Sequence, residues 1–179
     1  MYHISHDKRA VQSADLIYHG LLQCLAHKPF DQVTVTDVQK ASGVARTSIY
    51  RCFDNLSDIL YWRCDLCFRE ALHCVAPTGA PEEWFLMLGY FTYWTEHSEI
   101  LKLLIEINRQ DILYACHIQN AKTLEQAYGP LPGMDDVRGR YFMAIRTGVT
   151  ISVLKVWLDT GRKETPEELV ALVKAACPV

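Results

Sequence analysis

The stretch from Val33 to Leu60, VTVTDVQKASGVARTSIYRCFDNLSDIL, constrains the fold more than any other part of the chain. It reads as two short helices joined by a tight turn, followed by the start of a longer helix. Thr34 and Thr36 both stand where a side-chain oxygen can cap a helix start, with Thr34/Asp37 and Thr36/Gln39 as the alternative capping boxes. Ser42-Gly43 closes the first helix, because glycine takes the left-handed conformation without a Cβ clash. Val38, Val44 and Ile49 supply apolar groups on both sides of the turn. Between Asp37 and Asp54 the only formal charges are Lys40, Arg46 and Arg51. A short, acid-free, cationic helix after a tight turn is what a DNA major groove accepts and what phosphate contact requires.

At these residues the chain resembles the TetR family of bacterial transcriptional regulators. The resemblance rests on the apolar-Thr helix start at Thr34 to Val38, the turn Gly43-Val44, the hydroxyl-rich Thr47-Ser48-Ile49-Tyr50 and the aromatic Phe53. It extends back to Lys8-Arg9 and forward into the helix starting near Asn55. A weaker likeness covers YFMAIRTGVTISVLKVWLDTG and TPEELVALV, which look like the last two helices of many members. Four positions depart from the family's pattern. Ala45 replaces the usual Ser before the recognition helix, which removes a cap worth about 1 kcal/mol. Gln39 stands where a small Ala is common, and Cys52 where His is common. Leu56 replaces a common Lys, which implies one phosphate contact fewer unless Arg51 or Arg63 takes its place.

The formal net charge is −3, so bulk charge does not draw this chain to nucleic acid. Residues 1–60 carry six basic and six acidic groups, and the basic signal is local, at Lys8-Arg9 and at Lys40, Arg46 and Arg51. A local patch suits a sequence-selective reader better than a non-specific binder. Seven cysteines form no framework spacing in a chain of 179 residues, half of them hydrophobic. Such a chain can fold without staples, so reduced thiols in a cytoplasm are the simplest account. No secretion signal is visible at the N-terminus, and no uninterrupted apolar run approaches the ~20 residues of a membrane span.

Nearly all of the remainder reads as helix, with no good strand candidate. Helical spacing runs over Asp7–His27, and Asn55 with Asp58 can cap a helix to about Val75. Further helices are expected over Glu82–Glu96, from a Ser98 cap to Ile107, over Asp111–Tyr128, Val137–Asp159 and Thr165–Ala176. Thr165 with Glu168 forms a capping box, and Pro166 falls at the first helical position. The loop from Ala76 to Pro81 is the clearest breaker cluster and reads as a domain boundary, and GPLPGMDD at 129–136 is a long turn. The expected fold class is all-α, about nine helices. Residues 1–54 make a three-helix, helix-turn-helix DNA-binding domain, and residues 55–179 a helical effector-binding and dimerisation domain.

Arg46 and Thr47 are the candidates for base edges, while Thr36, Ser48, Tyr50 and Arg51 are candidates for phosphates. Lys8 and Arg9, with His3 and His6 before them, form either an arm toward the DNA backbone or a frayed terminus. In the penultimate helix, Phe142, Ile145, Gly148, Val149, Ser152, Val153 and Val156 lie along one stripe, which Leu169, Leu172 and Val173 of the last helix extend. Ordinary core packing is one account; a four-helix interface between two subunits is the other, and the family resemblance implies it. Trp84, Phe85, Tyr90, Phe91, Tyr93 and Trp94 crowd one helix. They read as core, or, as the resemblance implies, as the lining of a small-molecule pocket with Trp84, Tyr90, Tyr93, Trp94, His97, Arg109, His117 and Asn120 as candidates. Cys64, Cys67 and Cys74 share a helix face and read as small buried hydrophobes rather than a metal or redox site. No catalytic signature is present, so neither an enzyme nor a cofactor is expected. The resemblance implies a homodimeric repressor on a palindromic operator, released by an unidentified effector. A helical protein-interaction adaptor with weakened DNA binding, or a thiol- or metal-responsive sensor, are the alternatives.

Overall fold

The computed structural model describes residues 1–5, 7–75, 83–128 and 136–176. Nine α-helices account for most of these: α1 Lys8–Leu25, α2 Val35–Ser42, α3 Arg46–Cys52, α4 Leu56–Val75, α5 Glu83–Glu96, α6 Glu99–Glu106, α7 Gln110–Tyr128, α8 Asp136–Asp159 and α9 Pro166–Ala176. A 3-10 turn at Phe30–Gln32, which no periodicity announces, carries the chain from α1 into α2. Among the described residues the only strand-like pairing is one antiparallel bridge between Tyr2 and Phe53. The protein is all-α. Residues 6, 76–82, 129–135 and 177–179 lie outside the described residues, among them the expected breaker cluster at 76–81 and all but the last residue of the expected turn at 129–136.

The chain divides into two compact units, Met1–Arg63 and Cys64–Val179, with the division partway along α4. In the first unit, Ala14, Ile17, Tyr18 and Leu21 of α1 are buried with Val38 of α2, Ile49 and Cys52 of α3, and Ile59, Leu60 and Trp62 of α4. Helix α1 passes so close to the end of α2 that a Cβ on Gly20 would lie 2.7 Å from Ser42 Cβ and 2.9 Å from its backbone nitrogen. Glycine is there for contact, not for a turn.

The caps settle the helix limits. At α2 the Thr34/Asp37 box is the one formed. The Asp37 amide donates to Thr34 Oγ1 (3.2 Å) and the Thr34 amide donates to Asp37 Oδ2 (2.8 Å). Asn55 and Asp58 exchange the same pair of bonds at the start of α4, as do Thr165 and Glu168 at α9. Ser98 precedes α6 but makes no side-chain cap; its ψ of 1° is not the extended backbone that turns a cap oxygen toward the helix amides.

In the second unit, Phe91 and Trp94 of α5, Leu101 and Leu104 of α6, Leu113 and Cys116 of α7 and Leu154 of α8 are almost fully buried. Helix α8 turns Thr147, Thr150, Ile151, Leu154 and Trp157 inward, a run at helical spacing. Its other face leaves Val137, Tyr141, Ile145 and Val156 exposed. By length and composition, Val137–Asp159 could also cross a membrane, and 29% of the window tested is buried. Arg146 and Lys155 interrupt the run, which is why an uninterrupted count falls short while the average over the helix does not.

Candidate nucleic-acid interface

Helix α2 ends on Gly43, whose φ of 69° lies in the left-handed region, and the chain turns through Val44-Ala45 into α3. Ala45 occupies the cap position of α3 and makes no side-chain bond, as its methyl requires. Helix α3 is held from one side. Ile49 and Cys52 are buried, and α3 packs on both α1 and α2. The opposite face carries Arg46, Thr47, Tyr50 and Arg51, all exposed, with Ser48 partly buried at its flank. Offsets of one, four and five residues place these four on a single helical face. Arg46 Nη2 donates to Tyr50 Oη at 3.2 Å, and its guanidinium carbon lies 5.5 Å from the Tyr50 ring centre. That contact fixes two long side chains in one orientation on the exposed face.

The surroundings are cationic or hydroxylic. Thr36 and Lys40 are exposed on α2, and Lys8 and Arg9 are exposed at the start of α1. Asp37, the acid on α2, is held by neighbouring side chains. Lys28 Nζ donates to it at 2.6 Å, as does Thr34 Oγ1 at 2.6 Å, and these partners hold its carboxyl well below the usual range. Leu56 is partly buried where a lysine would reach the DNA backbone. Arg63 lies over the Tyr18 ring at 5.7 Å, so of the two proposed substitutes only Arg51 sits on the exposed face of α3.

The extreme N-terminus is neither frayed nor an arm. His3 N–H donates to the Cys52 carbonyl at 2.8 Å, Tyr2 bridges Phe53, and the Met1 amine reaches Asp54 and Asp58, both at 2.9 Å. His3 Nε2 shares a 3.0 Å hydrogen bond with Asp54 Oδ1. Residues 1–3 therefore pair with Cys52–Asp54 and with Asp58, at and just beyond the end of α3, which removes His3 from the candidates for phosphate contact. Lys8 and Arg9 retain that possibility.

The candidates placed in the second unit separate into groups. Tyr90, Trp94 and His117 come together, joined by Phe68 of α4, which the sequence did not single out. Tyr93 is buried, stacks near His97 at 4.6 Å and donates to Glu70 at 2.7 Å; burial and then Glu70 push its hydroxyl pKa well up. Asn120 is buried and donates to Asp65 (2.9 Å) and the Cys116 carbonyl (2.8 Å), a structural polar link between α4 and α7. Trp84 lies under Lys174 of α9, at 5.1 Å. Arg109 is held by Asp111 in a two-pronged pair at 2.8 Å. Cys64 and Cys67 are buried, and burial raises the Cys64 thiol pKa, which keeps it protonated and unreactive. The side chains of Cys74 and Phe85 lie outside the described residues.

Of the stripe on α8, Ile145, Ser152 and Val156 are exposed, and Phe142, Gly148, Val149 and Val153 are partly so. Leu172 of α9 is exposed, whereas Leu169 and Val173 are buried in their own chain, where α9 packs on α5. Periodicity gave the apolar face of α9 but not the neighbour it meets.

Residues 17–60, from the middle of α1 to the first turns of α4, match the family model described as bacterial regulatory proteins, tetR family. No curated protein matches the chain. The match spans α2, the turn and α3 of the candidate interface, and it supports a DNA-binding regulator of the TetR family.

Proposed function

We propose that this regulator is a cytoplasmic, non-enzymatic homodimeric repressor that holds a palindromic operator until a small-molecule effector releases it. Residues 1–54 carry the DNA contacts and 55–179 the effector site and dimer contacts. The observation that carries the reading is the exposed face of Arg46, Thr47, Tyr50 and Arg51, held out by buried Ile49 and Cys52. Arg46 and Thr47 reach base edges; Thr36, Ser48, Tyr50, Arg51, Lys8 and Arg9 contact phosphates and set the register.

Dimerisation is supported by the outward stripe of α8, with Ile145 at 65% and Val156 at 59% exposure, continued by Leu172 at 57%. Exposed apolar residues of this kind mark a contact surface, and a two-fold partner covers them with the same residues. Two protomers so joined set their α3 helices about 34 Å apart, one turn of DNA. The effector acts through a difference in affinity between two arrangements of the dimer, transmitted by α4, whose residues are shared by both units. Buried, protonated thiols weigh against a redox sensor.

The test is substitution at the exposed face. Arg46→Ala and Tyr50→Ala each lower operator affinity by about 1–3 kcal/mol, with circular dichroism and melting unchanged. Binding equal to wild type in both variants refutes the assignment of α3 to the groove.

A further inference from the structure

Several cationic side chains of this protein are answered by its own acids. Lys28 pairs with Asp37, Arg69 with Asp65 and Lys155 with Asp159, each at 2.6 Å, and Arg109 pairs with Asp111 at 2.8 Å. Arg46 differs. Among the described residues no carboxylate pairs with it, and its partner is the phenol of Tyr50, one turn further along α3. The Arg46 Nη2 group donates to Tyr50 Oη at 3.2 Å, and the guanidinium carbon stands 5.5 Å from the ring centre. Both side chains are exposed. The contact restricts a long side chain without cancelling its charge, whereas an ion pair would do both.

The donor count bears on what Arg46 can read. A guanidinium carries five N–H donors in a planar fork, and Tyr50 takes one. Four remain, and a two-pronged contact uses two. In the major groove guanine alone sets two acceptors, O6 and N7, side by side. Adenine places the N6 donor where O6 stands, and thymine offers O4 alone. Arg46 is also the first residue of α3, the end from which a recognition helix touches base edges, while Arg51 lies in the last turn. The Tyr50 oxygen accepts from Arg46, so its own proton is left to donate to a phosphate.

Resting on the groove reading of α3 above, we infer that Arg46 determines operator specificity by reading a guanine in each half-site, and that Tyr50 is its positioning residue. An arginine held in this way meets the base already oriented, so the preference for guanine depends on Tyr50 as well as on Arg46. Bound to a phosphate instead, Arg46 would strengthen binding to every duplex alike.

The experiment starts from the duplex that the full chain enriches from a random library. Each base pair of the half-site is replaced in turn, and wild type, Arg46→Ala, Tyr50→Ala and Tyr50→Phe are titrated across a salt series. Replacing one guanine by adenine should weaken wild type about ten- to a hundredfold per half-site. Arg46→Ala should bind the guanine and adenine duplexes equally, with the wild-type salt slope. Tyr50→Ala should lose most of the same preference, and Tyr50→Phe, which keeps the ring, a smaller part of it. A merely structural Tyr50 would weaken both duplexes alike and leave their ratio unchanged, which overturns its positioning role. If Arg46→Ala keeps the preference, or weakens every duplex equally with a slope reduced by about 0.9, the base assignment falls while α3 stays in the groove. If wild type enriches no duplex, the groove reading falls with it.

Discussion

At the scale of single residues, two positions do work that their identity alone does not announce. Gly20 sits in a helix interior, where alanine is the better residue by about 1 kcal/mol. The added methyl would meet the backbone of Ser42, which cannot rotate away as a side chain does. Crowding therefore outweighs propensity, and Gly20→Ala should lower stability by about 1–2 kcal/mol in urea unfolding. A stabilised variant would mean that α1 and α2 are not in contact there. His117 is the second position. Its folded pKa lies below its unfolded value of 6.5, at about 4. The unfolded chain thus takes up a proton that the folded chain refuses, and stability falls as pH drops from about 6.5 to 4. The full loss is about 3 kcal/mol. Asp37, Asp54 and Asp111, also depressed, lose their stabilisation as pH falls below about 5, so the His117 slope stands apart from theirs between pH 6.5 and 5. Urea unfolding across this pH range should show the slope in wild type and lose it in His117→Gln. A wild-type stability flat from pH 6.5 to 4 contradicts a desolvated imidazole.

At the scale of elements, caps and punctuation were legible because their chemistry is local. Thr34/Asp37, Asn55/Asp58, Thr165/Glu168 and Gly43 each fix a helix end through neighbours three residues apart or one backbone angle. The exposed face of α3 was legible for the same reason, since one short helix carries it whole. What could not be read depends on distant partners. Nothing in the local pattern pairs residues 1–3 with 52–54, brings Phe68 beside Tyr90 and Trp94 or Thr147 to His117, or packs α9, with its buried Leu169 and Val173, on α5. Helix α8 is the element on which the proposed assembly rests. Ile145→Lys together with Val156→Lys places charges on its exposed stripe without touching the inward Ile151 and Leu154. Sedimentation should then give a dimer for wild type and a folded monomer for the variant. A variant that remains dimeric places the interface elsewhere.

At the scale of the whole molecule, local positive charge is set against a net charge of −3, so affinity for DNA should depend on register rather than on bulk attraction. On the proposed reading, Ala45 and Leu56 each remove a contact that the family pattern would supply, which leaves Arg46, Thr47, Tyr50 and Arg51 with a larger share of the binding. Each phosphate contact adds about −0.9 to the slope of log affinity against log salt, so the slope counts them. The most direct measurement is selection of the full-length protein against a library of random duplexes, followed by salt titration of the enriched sequence. Two inverted half-sites with centres about one helical turn apart, bound with a steep negative salt slope, are the predicted result. A library that emerges unenriched, or a single unpaired site whose binding ignores salt, contradicts a two-fold reader of DNA built on α3.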